Sequence, residues 1–212
     1  IIALLIAIPT GILSALRQNR FLDHASRVFA LLGISIPNFF VGVLLILLFG
    51  VVFLKSWGSG GFVPVSDGLW ANLQRMILPA IALGTSYSAV VMRMMRSSML
   101  DVMGKDYVRT AHAMGVRRPS IIRRDIVRNA LIPVVTVIGN SFGYLLGGSV
   151  VTELVFRLPG IGSLVMNAVY RRDFPVIQAV VLIIVVVRIL VNLIVDLLYA
   201  KLDPRIQYTS GE

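Results

Sequence analysis

Long apolar stretches constrain this chain more than any other feature, because several of them could cross a lipid bilayer. A hydrocarbon layer about 30 Å thick takes roughly 20 helical residues to span. Four stretches have this length, at about residues 28–53, 76–98, 131–153 and 176–199. A fifth covers residues 1–16, and we expect a further N-terminal span to be missing from this sequence. The pattern predicts an all-α, polytopic transmembrane helix bundle with five spans.

The composition agrees with a membrane protein. Of the 212 residues, 57% are hydrophobic and only 14% are charged, and the mean hydropathy is +0.88. These values lie far from those of soluble domains. The chain has no cysteine, which excludes disulfides, thiolate metal sites and cysteine nucleophiles. We interpret residues 1–212 as a single transmembrane domain.

The basic residues predict the orientation of the bundle. When the loops are assigned alternately to the two sides, one side carries fourteen Lys and Arg residues and the other carries five. By the positive-inside rule, the richer side faces the cytoplasm. The fourteen are Arg17, Arg20, Arg27, Arg93, Arg96, Lys105, Arg109, Arg117, Arg118, Arg123, Arg124, Arg128, Lys201 and Arg205. The C-terminus is then cytoplasmic.

The longest cytoplasmic segment, about residues 99–130, predicts two short helices separated by a glycine turn. Asp106 can cap the first helix, and Gly115 can end it in the left-handed conformation. The second helix can begin at Pro119, whose missing N–H costs nothing in a first turn. One face of this second helix is apolar and comprises Ile122, Ile126 and Ala130. An ordinary basic loop held near anionic lipid headgroups is the alternative.

Sequence motifs in and around this loop form a recognisable set. The spacing Ala111-x-Ala113-x-Gly115 is followed by Arg128-Asn129-Ala130-Leu131-Ile132-Pro133. Together they resemble the EAA loop of ABC importer permeases, in the variant of dipeptide, oligopeptide and nickel permeases. Segments 35–40, 78–81, 158–162 and 196–205 also fit that family's pattern in the same order. The resemblance covers nearly the whole chain and is closest to the B-type subunit.

This resemblance implies a type I ABC importer fold in the bacterial inner membrane, importing peptides by alternating access. The cargo could be dipeptides, oligopeptides, nickel chelates or glutathione. The implied partners are a C-type second permease, two ABC ATPase subunits, an extracytoplasmic substrate-binding protein and membrane lipid, with no nucleic acid. ATP is used by the partner subunits, and no cofactor is bound by this chain. The implied ATPase-coupling residues are Tyr107, Arg109, Ala111, Ala113, Met114, Gly115, Val116 and Arg117.

The residues themselves show no catalytic or metal site, so we predict that the chain is not an enzyme. It has no phosphate-binding Gly-x-x-x-x-Gly-Lys-Ser/Thr loop. His24 and His112 are its only histidines and have no ligand at metal-binding spacing. An ion-driven secondary transporter is the alternative function, although buried acids and inverted repeats would be more typical of that class. A membrane-embedded enzyme is disfavoured by the missing nucleophiles.

Small and polar residues in two spans predict packing and transport contacts. Gly139, Gly143 and Gly147 form a Gly-x-x-x-Gly repeat that lets another helix approach closely. The neighbours of this repeat that could face a polar path are Asn140, Ser141 and Tyr144. Arg188 lies near the middle of the last span, where a charge costs about 2.5 kcal/mol or more. We expect it either to contact a partner subunit or to line the path.

Two further sequence features leave their interpretation open. Pro37 and Pro133 would permit bends within spans. The segment between residues 157 and 175, on the extracytoplasmic side, predicts a short helix over residues 163–170. In the resembled family such segments meet the substrate-binding protein, and a mere connecting loop is the alternative.

Overall fold

The computed structural model describes residues 1–53, 61–148 and 150–202, and the regular elements in these ranges are all helical. The helices are α1 (Ile2–Leu16), α2 (Phe21–Ser35), α3 (Asn38–Leu45), α4 (Leu69–Met103), α5 (Asp106–Ala113), α6 (Arg118–Ser120), α7 (Arg128–Gly148), α8 (Val150–Phe156), α9 (Ile161–Arg171) and α10 (Phe174–Leu202). Wider π-helical turns continue α3 over Ile46–Phe53 and join α6 to α7 over Ile121–Val127. The predicted all-α membrane bundle is confirmed.

Helix α4 forms the centre of the bundle, with α1, α2, α3 and α7 packed around it. Small residues allow these close contacts. A Cβ atom added at Gly11 of α1 would lie 2.8 Å from the Cβ atom of Met95. One added at Gly33 of α2 would lie 3.0 Å from the Cβ atom of Ala89. Since lipid offers no hydrophobic drive for helix association, such tight van der Waals packing is what holds helices together in a membrane.

The span predicted over residues 28–53 is bent at the position where Pro37 was expected to permit a bend. Its helix begins at Phe21 and breaks after Ser35, and the two parts meet at an angle of 101°. Ile36 adopts an extended conformation, with φ −88° and ψ 123°. The ring of Pro37 clashes with a helical residue before it, which explains the break. Pro133, by contrast, lies inside the continuous helix α7.

The other predicted spans correspond to helices with shifted bounds. The span predicted over residues 76–98 is part of the longer α4, and the span over 176–199 lies within α10. The span over 131–153 is carried by α7 and α8, with residue 149 outside the described ranges. By length and composition, two described helices could cross a membrane alone, or up to four spans exist if each bent pair counts as one. Helix α1 is apolar but has only 15 residues.

The bundle has two chemically different ends. We call the end where α1 ends, α2 begins and α4 ends the basic end, because Arg17, Arg20 and Arg96 lie there. Helix α5 follows directly from it. The turn between α8 and α9 contacts α3 and the first half of α4 instead, which places it toward the opposite end.

Candidate functional site

Helix α5 ends in a well-defined glycine turn at the basic end. Gly115 has a φ of +77°, the left-handed conformation that glycine adopts without strain. Its N–H donates to the carbonyl of His112 at 3.0 Å, and the N–H of Val116 donates to the carbonyl of Ala111 at 3.2 Å. This pair of hydrogen bonds is a Schellman motif, which satisfies carbonyls that the helix end would leave unpaired. The predicted left-handed turn is present.

The α5 segment buries one side and exposes most of the implied coupling residues. Val108 is only 3% exposed and packs into the main core cluster. Ala111 is partly buried beside the same cluster. The other seven implied residues are exposed, and Met114 is 72% exposed. They form the coupling surface, which comprises Tyr107, Arg109, Ala113, Met114, Gly115, Val116 and Arg117.

The charged side chains of the coupling surface are exposed to solvent. Arg109 lies 3.7 Å from Asp106, but their side chains are 76% and 96% exposed. An ion pair so exposed contributes little to stability. The coupling surface also contains an exposed apolar residue, Met114, which lies close along the chain to Arg109 and Arg117. Such a mixture of apolar and basic groups suits a protein partner.

A continuous helical path connects the coupling surface to the membrane. Helix α6, the π-helical turn and α7 follow one another without interruption from Arg118 to Gly148. The Nδ2 atom of Asn129 donates to the hydroxyl of Tyr107 at 3.4 Å and to the carbonyl of Asp125 at 2.6 Å. Side-chain contacts therefore link α5 to the helix that continues into α7.

The predicted apolar face of this path packs against the core cluster and is wider than predicted. Ile126 and Ala130 are buried, at 3% and 0% exposure, and Ile122 is partly buried against the same cluster. Ile121, which was not predicted, is fully buried. A π-helix forms i→i+5 hydrogen bonds and therefore has more residues per turn than an α-helix. Ile121 and Ile126 are five residues apart, so the wider turn brings them to the same face.

A buried ion pair at the basic end was missed by the sequence reasoning. The Asp23 carboxylate is fully buried and accepts from Nε and Nη2 of Arg96, at 2.6 and 2.8 Å. It also accepts from the hydroxyl of Ser14 at 2.7 Å and from the N–H of Asn19 at 2.9 Å. The cluster thus joins α1, α2 and α4. The available signal was that Asp23 is the only acidic residue among the first 66.

The structure places Gly139 and Asn140 of α7 on different faces. Gly139 is buried against α10, and a Cβ atom added there would lie 2.3 Å from a methyl carbon of Val195. Asn140 is exposed, and Ser141 donates to the carbonyl of Val137 at 2.6 Å. The helix backbone at Gly143, Tyr144 and Gly147 is described, but their surroundings lie outside what the structure describes. Gly139 thus belongs to a helix contact, and Asn140 points away from this chain.

Arg188 is exposed on α10, and no partner within the described part of the chain is recorded for it. Asn192 and Asp196 follow at helical spacing and are also exposed. Arg188 and Asp196 are eight residues apart, about 12 Å along the helix, so they do not pair directly. This polar face of α10 is turned away from the rest of the chain.

The carboxylate of Glu153, in α8, binds the N-terminus of α9. One Glu153 oxygen accepts from the N–H of Ser163 at 2.7 Å, and the Ser163 hydroxyl accepts from the N–H of Gly160 at 2.9 Å. A negative charge is favourable at a helix N-terminus. The turn also borders a cavity of about 780 Å³, lined in part by Arg157 and Asn167. The short helix predicted over 163–170 is present as α9, beginning at Ile161.

The described residues hold no group of three or more His, Asp or Glu side chains that could bind a metal ion. The coupling surface, the Asp23 cluster and the exposed α10 face are therefore the features that carry information about function.

Comparison with known proteins supplies the family. Residues 7–208 match the model of the family described as binding-protein-dependent transport system inner membrane component. A protein of Brucella suis biovar 1 (strain 1330), named as a peptide permease, is 46% identical over 98% of this chain and 66% of its own length. The dipeptide transport system permease protein DppB of Escherichia coli (strain K12) is 42% identical over 98% of this chain and 68% of its length.

The name of a third relative states a different transported molecule. The glutathione transport system permease protein GsiC of Escherichia coli (strain K12) is 44% identical over 97% of this chain. The chain covers 64% of that protein and 66% of the Brucella protein, somewhat less than two thirds of their lengths.

Proposed function

Because the chain belongs to the family of inner membrane components of binding-protein-dependent transport systems, we propose that it is a permease subunit of an ATP-driven importer of peptides. The named relatives are peptide, dipeptide and glutathione permeases. Glutathione is itself a small peptide, so peptides are the cargo class that these names share. Two ABC ATPase subunits, a C-type second permease and an extracytoplasmic binding protein complete the transporter.

The observation that carries this proposal is the coupling surface and its connection to α7. Met114 and Val116 are apolar and exposed, whereas Val108 anchors the same short helix in the core. An ATPase subunit bound to this surface would bury the apolar groups and contact the nearby arginines. Its closure would then move α5 and, through the continuous helix from Arg118, would bias the membrane helices between two packings.

The orientation follows from the same arrangement. An ATPase works in the cytoplasm, so the basic end with α5 faces the cytoplasm, as the positive-inside rule predicts. The α8–α9 turn is then extracytoplasmic and is available to the substrate-binding protein. Asn140, Ser141 and Tyr144 are proposed to line the path, and Arg188 is proposed either to line it or to contact the second permease.

Replacement of Gly115 by valine tests the proposal. A Cβ atom at Gly115 would meet nothing within 4 Å, so any effect must come from the backbone, whose φ of +77° is strained for a β-branched residue. We expect the turn to distort and the amount of ATPase co-purifying with the full-length transporter in mild detergent to fall at least about tenfold, which corresponds to about 1.4 kcal/mol.

Gly104→Val is the matched control, because Gly104 lies in the same loop but has a φ of −79°. A side chain there meets only ordinary contacts, the nearest at 3.5 Å from the carbonyl oxygen of Asp101. We expect ATPase binding to be retained. If no ATPase subunit co-purifies with the wild-type transporter, or if both valine variants behave alike, the proposal is refuted.

A further inference from the structure

A small groove between α2 and α4 at the basic end combines positive charge with an apolar floor. Its volume is about 270 Å³. The residues that line it are Arg27, Ala30, Leu31, Ile34, Met92, Arg93 and Arg96. An α-helix is about 10 Å across, so the groove is too small to enclose a helix of another protein.

Two of the three arginines are free to bind an anion. Arg96 is already held by Asp23 through two hydrogen bonds. Arg27 and Arg93 are exposed, and no ion pair or hydrogen bond is recorded for either within the described ranges. The groove therefore has a local charge of +2, from three arginines and one buried carboxylate. Like charges that share a groove repel each other, and a bound anion would relieve this repulsion.

The groove changes from basic to apolar in the direction of the membrane interior. Arg27, Leu31 and Ile34 follow at helical spacing and lie on the same side of α2. Helix α2 begins at the basic end, so Ile34 lies about 10 Å deeper than Arg27. Arg93 lines the basic part from α4. This sequence of a double positive charge followed by exposed apolar side chains matches the headgroup and acyl chain of a lipid.

We propose that this groove binds an anionic phospholipid of the cytoplasmic leaflet, with its phosphate between Arg27 and Arg93 and one acyl chain along Leu31 and Ile34. Arginine suits a phosphate because its planar guanidinium donates two parallel hydrogen bonds. Basic pockets between membrane helices on the cytoplasmic side are known to hold anionic headgroups. The leaflet assignment rests on the orientation given by the proposed function, whereas the site itself rests on the groove.

Lipid titration of the assembled, delipidated full-length transporter tests this site. Native mass spectrometry would count bound phosphatidylglycerol, with phosphatidylcholine of the same acyl chains as the neutral comparison. We expect Arg27→Gln/Arg93→Gln to weaken phosphatidylglycerol binding about 25-fold, at about fivefold for each arginine. Arg27→Lys/Arg93→Lys keeps both charges but loses the paired hydrogen bonds of the guanidinium, so it should weaken binding less than the glutamine variant does. This order would show that the glutamine variant loses charge rather than its fold.

Arg17→Gln/Arg20→Gln is the matched control, because it removes the same charge from the same end outside the groove. It should leave binding unchanged. Leu31→Trp keeps all the charges but fills the apolar part of the groove. It should weaken the binding of phospholipid but not the binding of inorganic phosphate.

Three results would overturn the inference. Phosphatidylcholine binding as strongly as phosphatidylglycerol would show that the arginines do not select the headgroup. Displacement of the lipid by millimolar inorganic phosphate, with no effect of Leu31→Trp, would identify a site for free phosphate. Equal lipid binding by the groove variant and the wild type would show that another part of the transporter covers the groove. None of these readouts depends on peptide uptake, so the site and the proposed function can fail separately.

Discussion

Helices α4 and α10 are the two described helices that could each cross a membrane alone, yet they differ in how much of their surface the rest of the chain buries. In the most apolar window of α4, 39% of the residues are buried, against 6% in α10. Helix α10 is nevertheless the more hydrophobic of the two. Within a membrane, hydrophobicity therefore marks the helix that faces lipid or another subunit, whereas the central helix is free to carry polar groups.

The polar contacts of α4 illustrate this freedom. Ser86 donates to the amide oxygen of Asn38 beside the α2–α3 break, and Arg96 binds Asp23 at the basic end. Both contacts reach α4 from other helices of the same chain. The polar groups of α10, by contrast, are turned outward, and Arg188 has an exposed position near the middle of that helix. The first set is satisfied within the chain, and the second faces away from it.

The largest effect is expected where α4 is tied to its neighbours. Arg96→Met would leave the buried Asp23 carboxylate without its main partner, and we expect a loss of about 3 kcal/mol of stability. Thermal unfolding of the purified full-length transporter would measure it. Arg123→Met is the control, because the exposed Arg123 lies outside the proposed lipid groove and should change stability by no more than about 0.5 kcal/mol. Equal effects of the two variants would mean that the buried pair does not distinguish α4.

An intermediate effect is expected at the contact that ties α10 to the bundle. Gly139→Ala would place a Cβ atom 2.3 Å from a methyl carbon of Val195, and we expect a loss of about 1–3 kcal/mol from overpacking. Val195→Ala in the same chain should recover most of this loss, since it removes the clashing methyl group. Thermal unfolding of both single variants and the double variant gives the coupling energy. Additive effects would show that α7 and α10 are not in close contact here.

The smallest effect on the chain's own stability is expected at Arg188. Because this side chain is exposed, Arg188→Leu should change the unfolding of the permease chain by no more than about 0.5 kcal/mol. Co-purification of the second permease, or peptide uptake by the assembled transporter, should nevertheless fall. Leu190→Ala, an exposed apolar change two residues away, is the control. If uptake and assembly are both unchanged in Arg188→Leu, the outward polar face of α10 has no partner.

The sequence predicted several elements of this structure with their physical cause. Long apolar stretches predicted helices because backbone N–H and C=O groups find no water in lipid, and a helix pairs them within one segment. Gly115 predicted a left-handed turn because it follows a helical pattern and precedes a second one, and the structure places it at φ +77°. The order of the motifs predicted the family, which the comparisons confirm.

Other features could not be read from local patterns. The π-helical turn after Ser120 adds Ile121 to the buried face. A change in helical repeat leaves no clear mark in the sequence. The break before Pro37 was marked by a proline, but Pro79 and Pro133 lie inside continuous helices. A proline therefore allows a break without deciding whether one occurs.

The sequence by itself determined that the chain is helical, lies in a membrane and has a basic end, since these properties follow from composition and spacing along one segment. Only the tertiary structure decided which segments meet. Asp23 and Arg96 are 73 residues apart, and no periodicity links them. Their pairing, the close approach of Gly139 to Val195 and the outward face of Arg188 depend on how whole helices pack. That packing decides which polar groups of the chain are satisfied internally and which face outward.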